Sequence, residues 1–318
     1  MQWPCIPSHR IFPTMNGPER ASLSPVQSTD ADAEPRPTAT NIDVFGLSDR
    51  GRVRSENQDQ FLIASLHKLL RVHQSSLPPE DITTLISDSR GYILLVADGV
   101  AGRPDGQAAS GTVVKTIAHH VTHLMDLYRR LDSNNEATFV SELEKSVLRS
   151  HEVLVDEGQK EYGGRGGATT LTMVAALWPH AYVIQVGDSR CYRLREGRLQ
   201  RMTEDQTLAQ ALVEKGALRP SEAQQSPLHG VLASALGGRE MTPRIHATDS
   251  RWDDVVLLCT DGLTRHVRDE EIESELLAIH TRGAQEACRR LVQLALDRGG
   301  EDNVTVVIGR LKNKPQGM

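Results

Sequence analysis

The chain has 318 residues, of which 38% are hydrophobic, 25% charged and only 4% aromatic, and its formal net charge is −6. This composition describes a globular protein with a core of aliphatic side chains, and the acid surplus excludes a nucleic-acid binder, which needs a basic face to displace counterions from phosphates. No run approaches the ~18 apolar residues of a membrane span, and no secretion signal is visible at the start. Cys5, Cys191, Cys259 and Cys288 lack metal-site or disulfide-scaffold spacing, so a reducing, cytoplasmic setting is expected.

Residues 1–40 are rich in Pro, Ser, Thr and Ala and carry no apolar periodicity, which predicts a disordered tail. From 41 to 312 the pattern is dense and uninterrupted, predicting one domain followed by a short tail at 313–318. Within it "IDVFGLSD" (42–49) and "QFLIASL" (60–66) read as strands. "YILLVAD" (92–98) is a continuous apolar strand of the kind covered on both faces. Apolar residues at Val113, Val114, Ile117, Val121, Leu124, Met125 and Leu131 recur at helical spacing and predict a helix over 107–131; a second is expected over 136–155. The glycine-rich "YGGRGGATT" (162–170) has no helix after it and reads as a turn rather than an anion cradle.

Further on, "TTLTMVAALW" (169–178) and "AYVIQVGD" (181–188) read as strands, and "CYRLREGRLQRM" (191–202) as a hairpin turning at Glu196-Gly197. Residues 208–236 mix helix and loop. "VVLLCTD" (255–261) is again a strand running into an aspartate, followed by helices over 270–279 and 284–297 and a last strand, "NVTVVIGRL" (303–311). Strands in runs and helices in pairs predict an α+β fold with largely antiparallel pairing. Neither GxGxxG nor GxxxxGK[ST] occurs, so nucleotide binding has no motif behind it.

Four aspartates share one local pattern: Asp98 in "LLVADG", Asp188 in "VIQVGDSR", Asp261 in "VLLCTDG" and Asp302 in "GGEDNVTVV" each stand where an apolar strand begins or ends. An Asx turn explains any one of them. If the fold gathers them, their repulsion is roughly 4 kcal/mol per close pair at an intermediate dielectric, and a hard divalent cation such as Mg2+ or Mn2+ would remove it. The 12 histidines do not follow this pattern, which disfavours zinc, and no calcium-loop motif occurs. Ahead of the second strand, "GRVRSENQD" places Arg54 five residues before Asp59. A guanidinium there suits a phosphate, although taken alone a common surface Arg–Asp pair is the simpler account.

Taken together, the ordered series "GRVRSENQD", "VADGVAG", "GGATT", "VGDSR", "CTDGL" and "GEDNVT" resembles the metal-dependent serine/threonine phosphatases of the protein phosphatase 2C type, in particular their bacterial members. The resemblance runs from about residue 41 to 311. It implies two packed antiparallel β-sheets flanked by helix pairs, a four-layer α-β-β-α sandwich, with a flap at about 207–236 beside the active site. It implies two Mn2+ or Mg2+ ions: Asp98 bridges both, the Gly99 carbonyl binds one, Asp261 and Asp302 complete the first, and Gln58 and Asp59 hold the second through water. Asn303 supports these ligands, Arg54 grips the substrate phosphate, and Asp188 matches a ligand of a weaker third ion. Arg265 stands where some members carry a second aspartate for that ion, so no strongly held third ion is expected. Val100 stands where eukaryotic members have histidine as a proposed general acid.

The implied activity is hydrolysis of phosphoserine and phosphothreonine on proteins, by a monomer whose counterpart is a bacterial-type Ser/Thr kinase. A non-catalytic phosphoprotein-binding module of the same fold would be expected to lack Asp98, Asp261 or Asp302, and all three are present. A phosphohydrolase of small metabolites stays open, because such a site recognises phosphate rather than its carrier.

Overall fold

The protein is described from a computed structural model over residues 37–68, 87–100, 105–123, 136–164 and 166–312. The tail expected over 1–40 lies outside these residues except at 37–40, and that at 313–318 lies wholly outside.

Among the described residues ten strands form two five-stranded sheets. The first sheet contains β1 (Ile42–Asp49), β6 (Arg190–Arg195), β7 (Arg198–Arg201), β9 (Val255–Cys259) and β10 (Val304–Leu311), in the order β1-β10-β9-β6-β7. The second contains β2 (Gln60–Lys68), β3 (Ser87–Ala97), β4 (Leu171–Leu177), β5 (His180–Val186) and β8 (Arg244–Asp249), in the order β2-β3-β4-β5-β8. Every pairing is antiparallel. α1 (Gly106–His123) and α2 (Glu136–Tyr162) cover the outer face of the second sheet; after the short helices α3 (Leu208–Glu214), α4 (Pro220–Ala223) and α5 (Asp261–Thr264), α6 (Asp269–Leu277) and α7 (Ile279–Asp297) cover that of the first. The result is the four-layer α-β-β-α sandwich.

The period-2 alternation of strand side chains explains why these segments are apolar throughout. Along β3, Ile93, Leu95 and Ala97 pack toward α1 and α2, while Leu94 and Val96 pack between the sheets. β10 repeats the arrangement with Val304, Val306 and Ile308 toward its helices and Val307 inward. Each such leucine or valine contributes roughly 1.5–3 kcal/mol by leaving water. At the β6–β7 hairpin both Glu196 (φ 51) and Gly197 (φ 75) take positive φ, the type I′ geometry that suits the twist of the flanking strands.

Four elements differ from the sequence expectation. β3 begins at Ser87, five residues ahead of Tyr92. α2 runs to Tyr162, seven residues beyond Val155. β8 was not anticipated: its burial alternates between exposed and intermediate positions, as an edge strand's does, so no apolar run marks it. The four-residue helix α5 (Asp261–Thr264) follows β9 directly. The helix expected to reach 131 begins at Gly106 and is described to His123. The break expected between 279 and 284 is a kink at Gly283, φ 78, with Asp43 Oδ2 accepting from the Ala284 N–H at 3.0 Å.

Candidate functional site

Because neighbouring strands are antiparallel, the end of one lies beside the start of the next. Asp98 follows β3 while Asp59 precedes β2, and Asp261 follows β9 while Asp302 precedes β10. Asp188 follows β5, which runs in the same direction as β3. All five carboxylates therefore meet at one edge of the two sheets. Four of them, Asp98, Asp188, Asp261 and Asp302, line a cleft of about 660 Å³ together with Arg54, Gln58, Leu208 and Gly230–Ala235. A second cavity, of about 100 Å³, lies between the sheets at the opposite ends of β1 and β10, lined by Val44, Leu94, Val174 and Leu311. It holds none of these carboxylates, and the chemistry belongs to the first.

Backbone hydrogen bonds fix Asp98. Its N–H donates to Thr170 Oγ1 at 3.0 Å, and its carbonyl accepts from Thr169 Oγ1 and the Thr170 N–H, each at 2.8 Å. The "GATT" stretch is thus a brace for Asp98. The next residue must be glycine for space: a Cβ on Gly99 would lie 2.6 Å from the Gly106 carbonyl oxygen and 2.9 Å from Gln58 Cβ. Gln58 is held by its backbone, its N–H donating to Asn303 Oδ1 at 2.9 Å and its carbonyl accepting from Ser110 Oγ at 2.7 Å. Asn303 Nδ2 also donates to the carbonyls of Arg50 (2.8 Å) and Glu56 (2.9 Å). One asparagine at the head of β10 therefore pins the loop that carries Arg54, which donates to Asp302 Oδ2 at 2.8 Å.

Asp59 is 3% exposed. Its Oδ2 accepts from Thr260 Oγ1 (2.9 Å) and Thr305 Oγ1 (2.7 Å), while Oδ1 is buried without a hydrogen-bond partner. Burial pushes its pKa up to about 7, against the pull of the two threonine hydroxyls and with the help of Asp261 and Asp302. Asp188 is raised to about 8, by burial first and then by Asp261 and Asp205, with Arg265 opposing. Asp98 is raised well above the ordinary carboxylate range, by burial first and then by the charges of Asp59, Asp261, Asp188 and Asp302. Asp261 is raised by burial and lowered by Arg265, which donates to its Oδ2.

A cluster of acids that resist ionisation together calls for a cation. The donors here are all hard oxygens, and the unpartnered Oδ1 of Asp59 is an acceptor left over by the protein, so the residues fit Mg2+ or Mn2+. Among the described residues no three Asp, Glu, His or Cys are grouped to hold an ion by side chains alone. An ion of this kind ordinarily keeps several waters and takes one or two carboxylates.

Arg54, Gln58, Asp98, Gly99, Asp188, Asp261 and Asp302 line the cleft; Asp59 lies behind it, and Asn303 is buried beneath the Arg54 loop. Sequence reasoning did not single out Thr169, Thr170, Thr260 or Thr305. The available signal was position: Thr260 directly precedes Asp261, and Thr305 lies one strand repeat after Asn303, where hydroxyls in apolar runs need a buried partner.

Residues 71–297 match the family model described as protein phosphatase 2C. The serine/threonine protein phosphatase PstP of Mycobacterium tuberculosis is 32% identical over 261 residues, 82% of this chain and 43% of PstP, so the chain spans less than half of that relative's length. The serine/threonine phosphatase stp of Listeria monocytogenes is 28% identical over 266 residues, 82% of this chain and 92% of the relative. Among solved structures, the catalytic domain of PstP in complex with two manganese ions superposes with a TM-score of 0.63 at 29% identity, covering 86% of this chain and 99% of that one.

Proposed function

The chain belongs to the protein phosphatase 2C family, and from that premise we propose that it is a metal-dependent phosphatase acting on phosphoserine and phosphothreonine in proteins. The observation that carries this reading is the gathering of four carboxylates around Asp98, with an unpartnered oxygen on Asp59 and Arg54 at the rim.

In this reading Asp98 would help hold both of two divalent ions, with the Gly99 carbonyl, Asp261 and Asp302 as further donors for the first. Asp59 and Gln58 would hold the second through water. When bound, the pair of ions supplies Lewis acidity that lowers the pKa of water to near neutrality and offsets the charge of the phosphate. Arg54 orients the phosphoryl oxygens with donors beyond the one it spends on Asp302 and stabilises charge as the ester breaks. Val100, whose N–H donates to the Ala168 carbonyl at 2.8 Å, offers no proton, so the leaving seryl or threonyl oxygen takes its proton from water. The catalytic unit spans 41–312, between tails at 1–40 and 313–318, with residues 207–236 as a flap beside the active site. No helix among the described residues is long and apolar enough to cross a membrane, and the three free, buried thiols Cys191, Cys259 and Cys288 are in keeping with a reducing cytoplasm. We take the protein to be a monomer that opposes a bacterial-type Ser/Thr kinase in signalling.

Hydrolysis of para-nitrophenyl phosphate and of a phosphothreonine peptide is expected with Mn2+ and with Mg2+, and chelator should remove it. Turnover indifferent to chelator would overturn the two-ion reading; sugar phosphates turned over faster than the peptide would overturn the protein substrate. Gln58→Glu, which adds a negative charge beside the second ion, should tighten apparent Mn2+ affinity about tenfold, since carboxylate count sets affinity at such sites. A titration with unchanged or weaker binding would remove Gln58 from that role.

A further inference from the structure

The cleft already contains a cation bonded to its acids. Asp261 opens α5 and Arg265 follows one helical turn later, so the guanidinium folds back over that carboxylate. Arg265 donates to Asp261 Oδ2, and its Nη1 lies 3.4 Å from Asp302 Oδ2, the oxygen that also accepts from Arg54 at 2.8 Å. Its positive charge reaches Asp188 as well. This is not an ordinary surface pair, which would contribute little: the side chains of Asp261 and Asp302 are only 17% and 16% exposed.

The resemblance implied a weaker third ion on Asp188, with a second acid at position 265 in some members. The residues present do not fit it. Arg265 acts directly on Asp188, so a divalent ion there would meet a guanidinium. We propose that Arg265 is a built-in cation that takes the place of the third ion. Resting on the two-ion reading above, the inference is that the site works with two divalent ions and a tethered guanidinium, which neutralises Asp261 and Asp302 and keeps α5 and the start of β10 in register. Arg265 is a positioning residue in this scheme, acting through the carboxylates it holds.

Counting bound ions tests it without reference to turnover. The full chain is equilibrated with Mn2+ by dialysis and the bound metal measured for the wild type, Arg265→Asp, Arg265→Asn and Arg265→Lys. The wild type and Arg265→Lys should bind two ions. Arg265→Asp should bind three and show a second, higher-concentration phase in the Mn2+ dependence of para-nitrophenyl phosphate hydrolysis. Should Arg265→Asp not fold, Arg265→Asn, with a neutral oxygen donor, should still take a third ion, about tenfold more weakly than an aspartate would. Three ions on the wild type, or two on a folded Arg265→Asp or Arg265→Asn protein, would overturn the inference. No bound Mn2+ on the wild type would instead overturn the reading on which it rests.

Discussion

Asp98→Asn should abolish hydrolysis while making the metal-free protein more stable. The substitution keeps the shape of the side chain, and the backbone of residue 98 stays held by Thr169 and Thr170, so the fold is not at risk. What disappears is the charge that four other aspartates oppose. Without metal, that charge is a burden: a buried carboxylate among like charges is costly to ionise. In the two-ion reading proposed above, it is the group that would hold both ions in the cleft. Turnover should therefore fall about 10³-fold or more, the scale of losing a preorganised electrostatic partner of the transition state, and raising Mn2+ should not restore it. In chelator the variant should melt higher than the wild type by a few degrees, since about 1 kcal/mol moves a domain of this size by roughly 2–4 °C. Activity within tenfold of the wild type, or a lower melting temperature in chelator, would show that Asp98 is not the centre of the cluster.

That pair of opposite effects also marks how far the sequence could be read. β3 and β10 were legible because strands covered on both faces must be apolar at every position, and few other segments combine that with so short a length. The carboxylates were legible because aspartate is out of place at the ends of such strands. β8 was not, since an edge strand half in water has no such constraint: His246 is exposed and Ile245 only partly buried. Nor were the threonines on Asp59, because a hydroxyl in a strand is ordinary until its partner, 201 or 246 residues away in sequence, is known. Arg265 shows the limit most plainly. Its spacing from Asp261 was visible as one helical turn only once α5 existed, and its reach to Asp302 depends on β10 lying beside β9. Local pattern identifies candidate acids; which cation sits among them is decided by tertiary contacts.

The same cluster sets the stability of the metal-free protein against pH, and here the second large effect is expected. Asp59, ordinarily at 3.8, titrates near 7 in the folded chain, and Asp188 near 8. Between these limits the folded state holds protons that the unfolded state has released, so stability must fall as pH rises from about 4 toward 8. Asp59 alone accounts for a loss on the order of 4 kcal/mol once both states are ionised. In chelator the melting temperature should therefore drop by about 10 °C across that range. Mn2+ takes the place of those protons and binds better as they leave, and at a hundredfold over its Kd each ion adds about 2.7 kcal/mol. The difference in melting temperature with and without Mn2+ should accordingly widen between pH 5.5 and pH 8. Thr305→Val sharpens the test: it removes a donor from the ionised form of Asp59 and should steepen the metal-free decline. A Mn2+-induced difference that stays flat or narrows with rising pH would mean that the ions bind somewhere other than these acids.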